Sequence, residues 1–378
     1  MANMELLVLN SDFEIVSVID VLDSLIWTDR YSAYGDFEIY TPVTTELLSY
    51  IQPEYYLWLN GSDHIMIIED IQIKCDPEEG NYLIVTGRSL ESILDRRIIW
   101  EQTILSGNLQ NGIETLLNDA IISPTITDRT IENFIFEPST DTAITDLIIE
   151  AQIPRGLNLY EVIQQLCVEK NIGFKITLSN EDQFIFKLYA GVDRSYEQII
   201  NPHVVFSPNF DNLINADYTE SKKTLKTVTV VAGEGEETAR KTTVVGSGSS
   251  LTRRELYTDA NDLSQNDGET VLTDEEYLAQ LIQRGTDELS KYIVIKSFES
   301  QIDSITNLFK YNEDFFMGDL VQIANDYGIE SRARVTEIIH SQSKEGIEIY
   351  PTFSIIDVGE IGSDGVLIPG NGGRSFNV

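Results

Sequence analysis

The sequence predicts an α+β, β-rich fold, with strand-built units toward both ends of the chain and smaller α+β pieces between and within them. Three observations predict it. Over the first hundred residues apolar positions alternate with a period of two and turn residues recur at short intervals. From about Gln102 the spacing changes to that of amphipathic helices. A strand, turn and strand pattern near residue 70 is echoed near residue 335.

Glu5 to Leu9, Ile15 to Ile19 and Ser24 to Tyr31 read as short strands. Phe37-Glu38-Ile39-Tyr40 follows Gly35 and stops at Pro42, alternating as a half-buried strand does. Tyr56 to Leu59, His64 to Lys74 and Tyr82 to Thr86 continue the series, turned at Asn60-Gly61 and Glu79-Gly80. A small barrel or sandwich is the natural product. Ser89 then opens a short helix with Leu90, Ile93 and Leu94 on one face.

Ile113, Leu116, Leu117, Ala120 and Ile121 form one apolar helical stripe. A second helix begins after Asn158, which can cap it while Glu161 reaches back, and it buries Leu159, Val162, Ile163, Leu166 and Cys167 before Gly173 ends it. Phe174 to Leu178 and Phe184 to Tyr189 pair across Asn180-Glu181-Asp182. After Pro202 strands return at Val204 to Phe206, Ala216 to Thr219, Thr227 to Ala232 and Thr242 to Val245. Gly233 to Glu237 and Gly246 to Ser250 read as flexible loops. A third helix starts at Thr273 with a capping-box Glu276 and is expected to bury Leu278, Leu281, Ile282 and Leu289. Strands run from Tyr292 through Ser354, and residues 359–378, with six glycines, read as an extended tail or docking segment.

The echo sets Ile68-Glu69-Asp70-Ile71, a turn ending Glu79-Gly80 and Tyr82 to Thr86 beside Val335-Thr336-Glu337-Ile338, a turn ending Glu345-Gly346 and Glu348 to Thr352. Gly35-Asp36-Phe37 and Gly318-Asp319-Leu320 lie upstream of each. This reads either as a duplication, which makes two related barrels, or as the generic likeness of β-hairpins. The division expected is 1–100 a first barrel, 101–200 an α+β domain, 201–250 with 291–358 a second barrel, 251–290 a helical and loop insertion, and 359–378 a Gly-rich tail.

Composition narrows the function. The 378 residues carry 26 Lys and Arg against 62 Asp and Glu, a formal charge of −36. That balance disfavours a duplex-reading DNA protein, whose affinity rests on phosphate neutralisation, and an anionic membrane surface. At 42% hydrophobic and 9% aromatic residues the chain is expected to fold rather than stay disordered. No apolar run suffices for a spanning helix, and Met1 to Glu14 lacks the look of a secretory signal. Cys75 and Cys167 lack CxxC spacing and are expected to be reduced, one in a strand and one on a helix.

No catalytic constellation, cofactor fingerprint or metal site is read from the sequence. His64, His203 and His340 have no second His within ten residues. Gly246-Ser247-Gly248 is not a nucleophile elbow, and Ser341 with Lys344 matches SxxK only in a turn between strands. The loop from Asp259 to Glu269 is rich in oxygen ligands but fails the calcium-loop spacing, with Ser264 at the sixth position and Thr270 at the twelfth.

Several segments together resemble a known family. They are Tyr34-Gly35-Asp36-Phe37-Glu38-Ile39, Thr86-Gly87-Arg88-Ser89-Leu90 before Arg96-Arg97, Gly156-Leu157-Asn158-Leu159-Tyr160-Glu161 and Gly191-Val192-Asp193-Arg194. Val205-Phe206-Ser207 leading to Asp211-Asn212-Leu213 follows, then Ala232-Gly233-Glu234-Gly235 with Arg253-Arg254-Glu255 beyond it. The series closes with Asp314 to Val321 and Arg332 to Glu337. In that order they resemble the siphophage tail-tip or baseplate hub proteins, a module shared with the N-terminal part of tail-associated lysins and similar to the hub of contractile tails.

The resemblance implies two tube-like β-barrels per chain and a homotrimer that converts a sixfold tail tube to a threefold tip. It also implies a structural rather than enzymatic role in the virion tail tip after assembly in the bacterial cytoplasm. Implied partners are the distal tail ring, tail tube and tape-measure protein, tip or fibre proteins, and genomic DNA in transit, without stable membrane binding. The lytic extension of longer family members is not expected here. A tail-associated cell-wall hydrolase and the hub of a contractile particle are the rival readings.

Overall fold

Alternating Val, Ile, Leu and aromatic residues build strands through most of the chain, and the computed structural model describes residues 4–76, 80–213, 215–266, 271–301, 308–325, 327, 330–355, 360–361 and 367–368. The first unit comprises β1 (Leu6–Leu9), β2 (Ile15–Ile19), β3 (Ser24–Arg30), β4 (Asp36–Pro42), α1 (Thr45–Tyr50), β5 (Tyr56–Leu59), β6 (Ile65–Asp76) and β7 (Gly80–Ser89). Trp27, Phe37, Ile39, Leu57, Met66 and Ile68 form its core, with one face of each strand buried.

The 3-10 turn Leu90–Arg96 leads to β8 (Thr103–Asn108), α2 (Leu109–Leu117), β9 (Phe134–Glu137), α3 (Thr142–Thr145), β10 (Ile148–Ile153), α4 (Leu159–Glu169), β11 (Gly173–Leu178) and β12 (Phe184–Tyr189). Asn158 caps α4 by accepting from the Glu161 N–H, and its amide donates to Asp95 O and Oδ1, which ties the helix to the 3-10 turn. That second contact stands in place of the reciprocal carboxylate bond expected from Glu161. The helix ends at Lys170, followed by Asn171 at φ 56°, and Gly173 opens the next strand instead of ending α4.

β13 (Val205–Phe206) and β14 (Asn215–Ser221) come next. β15 (Val228–Ala232), β16 (Thr242–Gly246) and β17 (Glu255–Asp259) then form a separate three-stranded sheet covered by α5 (Asp274–Ser290). Residues 228–246 were expected with the second barrel; hydrogen bonding places them with the helical insertion. The chain closes with β18 (Ile295–Gln301), β19 (Leu320–Ala324), β20 (Glu330–Ser343) and β21 (Gly346–Ile355). Thr273 and Glu276 form the expected capping box on α5. Its buried face, however, is Tyr277, Leu281, Gly285 and Leu289, whereas Leu278 and Ile282 are each 43% exposed. Gly285 selects that stripe, because a Cβ there would lie 2.6 Å from Val231 Cγ2 and 2.7 Å from Val245 Cγ2. The two loops read as flexible are tied down: Gly233 N–H donates to Lys241 O, Glu234 N–H to the Tyr277 hydroxyl, and Thr252 N–H to Ser249 O.

One thirteen-stranded sheet joins both ends of the chain, in the order β14-β18-β21-β20-β3-β4-β7-β6-β5-β1-β2, with β19 on β20 and β13 on β19. Within it the order β3-β4-β7-β6-β5 is repeated as β14-β18-β21-β20-β19, antiparallel throughout. The hairpins β6–β7 and β20–β21 carry register shifts at Ile68/Asp70 and Val335/Glu337, the same place in the echo, and their turns end on Gly80 at φ 99° and Gly346 at φ 146°. The echoed hairpins therefore occupy equivalent places. The upstream Gly-Asp pairs do not, since Gly35-Asp36 opens β4 while Gly318-Asp319 opens β19, the counterpart of β5. Glu79 and the Gly-rich end lie outside the described residues, apart from Glu360–Ile361 paired with Leu367–Ile368.

Candidate functional site

Several of the segments that carry the resemblance, Gly191 to Arg194, Asp314 to Val321 and Arg332 to Glu337 among them, meet where β3, the end of β12 and the start of β19 come together, while Ala232 to Gly235 and Arg253 to Glu255 lie apart in the β15-β16-β17 sheet. Tyr31 sits there as a wedge: Cβ atoms at Gly173 and Gly318 would lie 2.5 and 2.2 Å from its ring, and one at Gly191 would lie 2.0 Å from Gly318 C and O. Only glycine permits that approach, and Gly318 also adopts φ 87°. The Tyr31 hydroxyl donates to Asn171 O at 3.2 Å, and the Arg334 guanidinium lies 5.4 Å from its ring centroid. Asp319, 2% exposed, accepts from Val192 N at 2.8 Å, Phe316 N at 3.0 Å and Arg194 Nε at 2.6 Å. Arg30 binds Asp36 at 2.9 Å and Glu337 at 2.7 Å, and Arg88 grips Glu69 with two bonds of 2.7 and 2.8 Å. Each of these contacts fastens one segment to another.

A buried ionic chain runs through the same junction. His340 on β20 stands opposite Trp27 on β3, and its Nε2 is 3.6 Å from Asp29 Oδ2. Asp29 accepts from Trp27 Nε1 at 2.9 Å and from Ser62 Oγ at 2.9 Å, while His64 N–H donates to Ser62 Oγ at 3.0 Å. His64 Nδ1 is 3.2 Å from Glu91 Oε1, which also accepts from Ile176 N–H at 2.7 Å. Ser89 Oγ donates to Glu91 Oε2 and accepts from Gly35 N–H at 2.7 Å. The chain thus ties the C-terminal strand β20 to the N-terminal unit and to β11 of the middle unit.

Its charges settle one another. Burial opposes a charged His64, but Glu91 and Asp29 outweigh that cost and hold its imidazole up at about 9. Burial likewise opposes ionisation of Asp29 and Glu91, yet the adjacent histidines and hydroxyls leave both carboxyls below the usual range. The order of contacts decides the chemistry. Ser62 Oγ bonds the carboxylate Asp29 and not an imidazole nitrogen, so the base that activates a nucleophile is misplaced. His340 borders a cleft of about 650 Å³ whose walls include Leu59, Tyr311, Ile347 and Pro351.

Of the three histidines, His64 and His340 come together in this network, and His203 lies apart, with Nε2 2.8 Å from Gln198 O. Sequence spacing could not find the pair, because 276 positions of chain separate them. Asp29 and Glu91 were missed as well. The signal for Asp29 was its place in the inward alternation Leu25, Trp27, Asp29, Tyr31, and for Glu91 its place inside the apolar run Leu90 to Leu94. Ser341 lies in β20 while Lys344 is exposed in the turn, 4.0 Å from Asp23. In the acidic loop Asp259 binds Arg240 and Asp262 binds Arg284 at 2.8 Å, while residues 267–270 lie outside the described residues. Among the described residues no group of three or more His, Cys, Asp or Glu is placed to hold a metal ion, and no helix is long and apolar enough to cross a membrane. Cys75 lies exposed on β6, and Cys167 is buried on α4, where burial pushes its thiol well up.

Comparison with known proteins gives one family and one fold. The family model described as Siphovirus ReqiPepy6 Gp37-like protein matches residues 5–353. A tail protein from Neisseria meningitidis MC58 has a similar structure, with TM-score 0.58, 11% identity, and 97% of this chain and 98% of that one covered. Prophage tail protein gp18 from Listeria monocytogenes EGD-e gives TM-score 0.54 at 12% identity, over 93% of this chain and 94% of that one. The 43 kDa tail protein of prophage MuSo2 from Shewanella oneidensis gives 0.55 at 11%, over 93% and 98%. No curated protein matches.

Proposed function

This chain belongs to the Siphovirus ReqiPepy6 Gp37-like protein family, and from that premise we propose that it is the homotrimeric hub of a phage tail tip. Three copies close or continue the tail tube, convert its sixfold symmetry to threefold and leave an axial passage for DNA. The observation that carries this reading is the repeated strand order, β3-β4-β7-β6-β5 and β14-β18-β21-β20-β19. A chain with two equivalent units presents six equivalents in a ring of three, so it can match a hexamer without mismatch. On this reading the repeated units belong to two tube-like barrels, residues 222–294 are inserted between two strands of the second, and the distal tail ring, tape-measure protein and tip fibres are the neighbours.

The role is structural, without turnover, and the acidic excess lines the passage so that phosphate is repelled. Light scattering on the purified chain is expected to give three times the monomer mass, with electron images of a threefold ring open along its axis. A compact monomer at every concentration overturns the reading. Clearing of cell walls in a zymogram overturns the assignment as a non-enzyme.

A further inference from the structure

The internal repeat identifies one strand edge that is filled within the chain and an equivalent edge that is not. β20 is long enough to hold β21 along one side and two strands along the other: β19 pairs with Glu330 to Arg334, and β3 pairs with Glu337 to Gln342. β6 is its counterpart. It holds β7 along one side and β5 at Ile65 to Ile67, but among the described residues nothing pairs with the rest of that second side, Asp70 to Asp76. Burial follows the difference. Ile338, His340 and Gln342 are 0, 3 and 5% exposed, while the equivalent positions are half-buried Ile71, Ile73 at 49% and exposed Cys75. β14, the counterpart of β3, likewise has β18 as its single neighbour among the described residues. An open seven-residue edge with an exposed Ile is a liability that a protein covers or blunts.

We infer that β14 of one copy pairs antiparallel with the Asp70 to Asp76 edge of β6 in a second copy of this chain, repeating between copies the β3–β20 junction within each. This rests on the oligomeric reading above and adds the edge and its register to it. The pairings within the chain set the register. Thr28 faces Asp36 and Thr219 faces Ser297, and Asp36 and Ser297 hold equivalent places against Arg88 and Ser354. Thr219 therefore corresponds to Thr28, Asp217 to Ile26 and Ala216 to Leu25. In the internal junction Thr28, Ile26 and Leu25 face Ile339, Ser341 and Gln342, whose counterparts on β6 are Gln72, Lys74 and Cys75. Between copies Thr219 then faces Gln72, Asp217 faces Lys74 and Ala216 faces Cys75. An acidic residue thus stands opposite the basic one, where two like charges would be destabilising. Each copy offers one edge of each kind, a heterologous contact that closes into a ring.

Cys75 supplies the test, because directly opposed residues of an antiparallel pair lie about 4.5 to 5.5 Å apart between Cα atoms, within disulfide reach. Ala216→Cys is expected to convert at least half of the full-length protein to covalent dimers and trimers under mild oxidation. Addition of Cys75→Ser should abolish these species, and Ser221→Cys, five positions off register, should give under a tenth of the yield. Lys74→Glu is expected to weaken assembly at least tenfold, with recovery when combined with Asp217→Lys. A trimer by light scattering that neither cross-links at 216 nor responds to the charge swap overturns the edge assignment and leaves the hub reading standing. A monomer in every variant and in the unaltered chain overturns the hub reading and the edge assignment with it.

Discussion

At the scale of single residues, the junction is held by ionisable groups taken out of water in matched pairs. Breaking such a pair by removing one partner costs more than the pair contributes, since the remaining charge stays buried. His64 makes that cost depend on pH. Its folded-state value of about 9 lies above the ordinary 6.5, so its contribution is fully present below pH 6.5 and is lost as pH rises toward 9. Asp29 and Glu91 shift the other way, and theirs is lost only as pH falls through the carboxylate range. Denaturant titrations are expected to show stability highest near pH 5 to 6.5 and declining toward pH 9. Glu91→Gln should cost about 3 kcal/mol at pH 6 and flatten the alkaline decline. A Glu91→Gln protein that keeps the same slope above pH 6.5 would mean that His64 does not carry the effect.

At the scale of elements, α5 shows how a helix chooses its face. Tyr277, Leu281, Gly285 and Leu289 follow one another at four-residue steps, and Tyr277 donates to Leu263 O at 2.9 Å while Gly285 admits Val231 and Val245. Leu281→Ala is expected to cost about 2 to 4 kcal/mol and Leu278→Ala under about 0.5 kcal/mol in chemical denaturation followed by far-ultraviolet circular dichroism. Equal costs would place the wrong face inward. The sequence alone favoured Leu278 and Ile282 because hydrophobicity was weighed and the small residue was not. The strands of the first unit were legible because alternation is a local signal, and so was the capping box at Thr273. The bulges at Glu69 and Thr336 could be aligned by sequence but not recognised as bulges, and the assignment of β15 and β16 to the insertion depends on partners further along the chain. The ionic junction was invisible for the same reason: Asp29, His64 and Glu91 come from separate strands and turns of the first unit and His340 from a strand near the other end of the chain, and only the folded sheet brings His340 to Asp29.

At the scale of the whole molecule, a charge of −36 per copy opposes assembly. Identical acidic chains repel one another over about 30 Å in 10 mM salt and about 8 Å at physiological ionic strength. A ring of three copies brings that charge together, so assembly driven by backbone pairing and apolar burial is expected to strengthen as salt rises. A surface that binds nucleic acid through Lys and Arg behaves oppositely, because counterion release weakens with salt. Sedimentation velocity from 10 to 150 mM salt is therefore expected to show trimer gaining over monomer, while duplex DNA added at 50 mM salt does not co-sediment. Trimer lost with rising salt would mean that complementary charge, such as many pairs like Asp217 with Lys74, dominates the interface. Co-sedimenting DNA would place basic residues along the passage and contradict an acidic lining. The two measurements separate what the composition leaves joined, since the same carboxylate excess must be tolerated at the contacts between copies and is useful only where a polyanion passes between them.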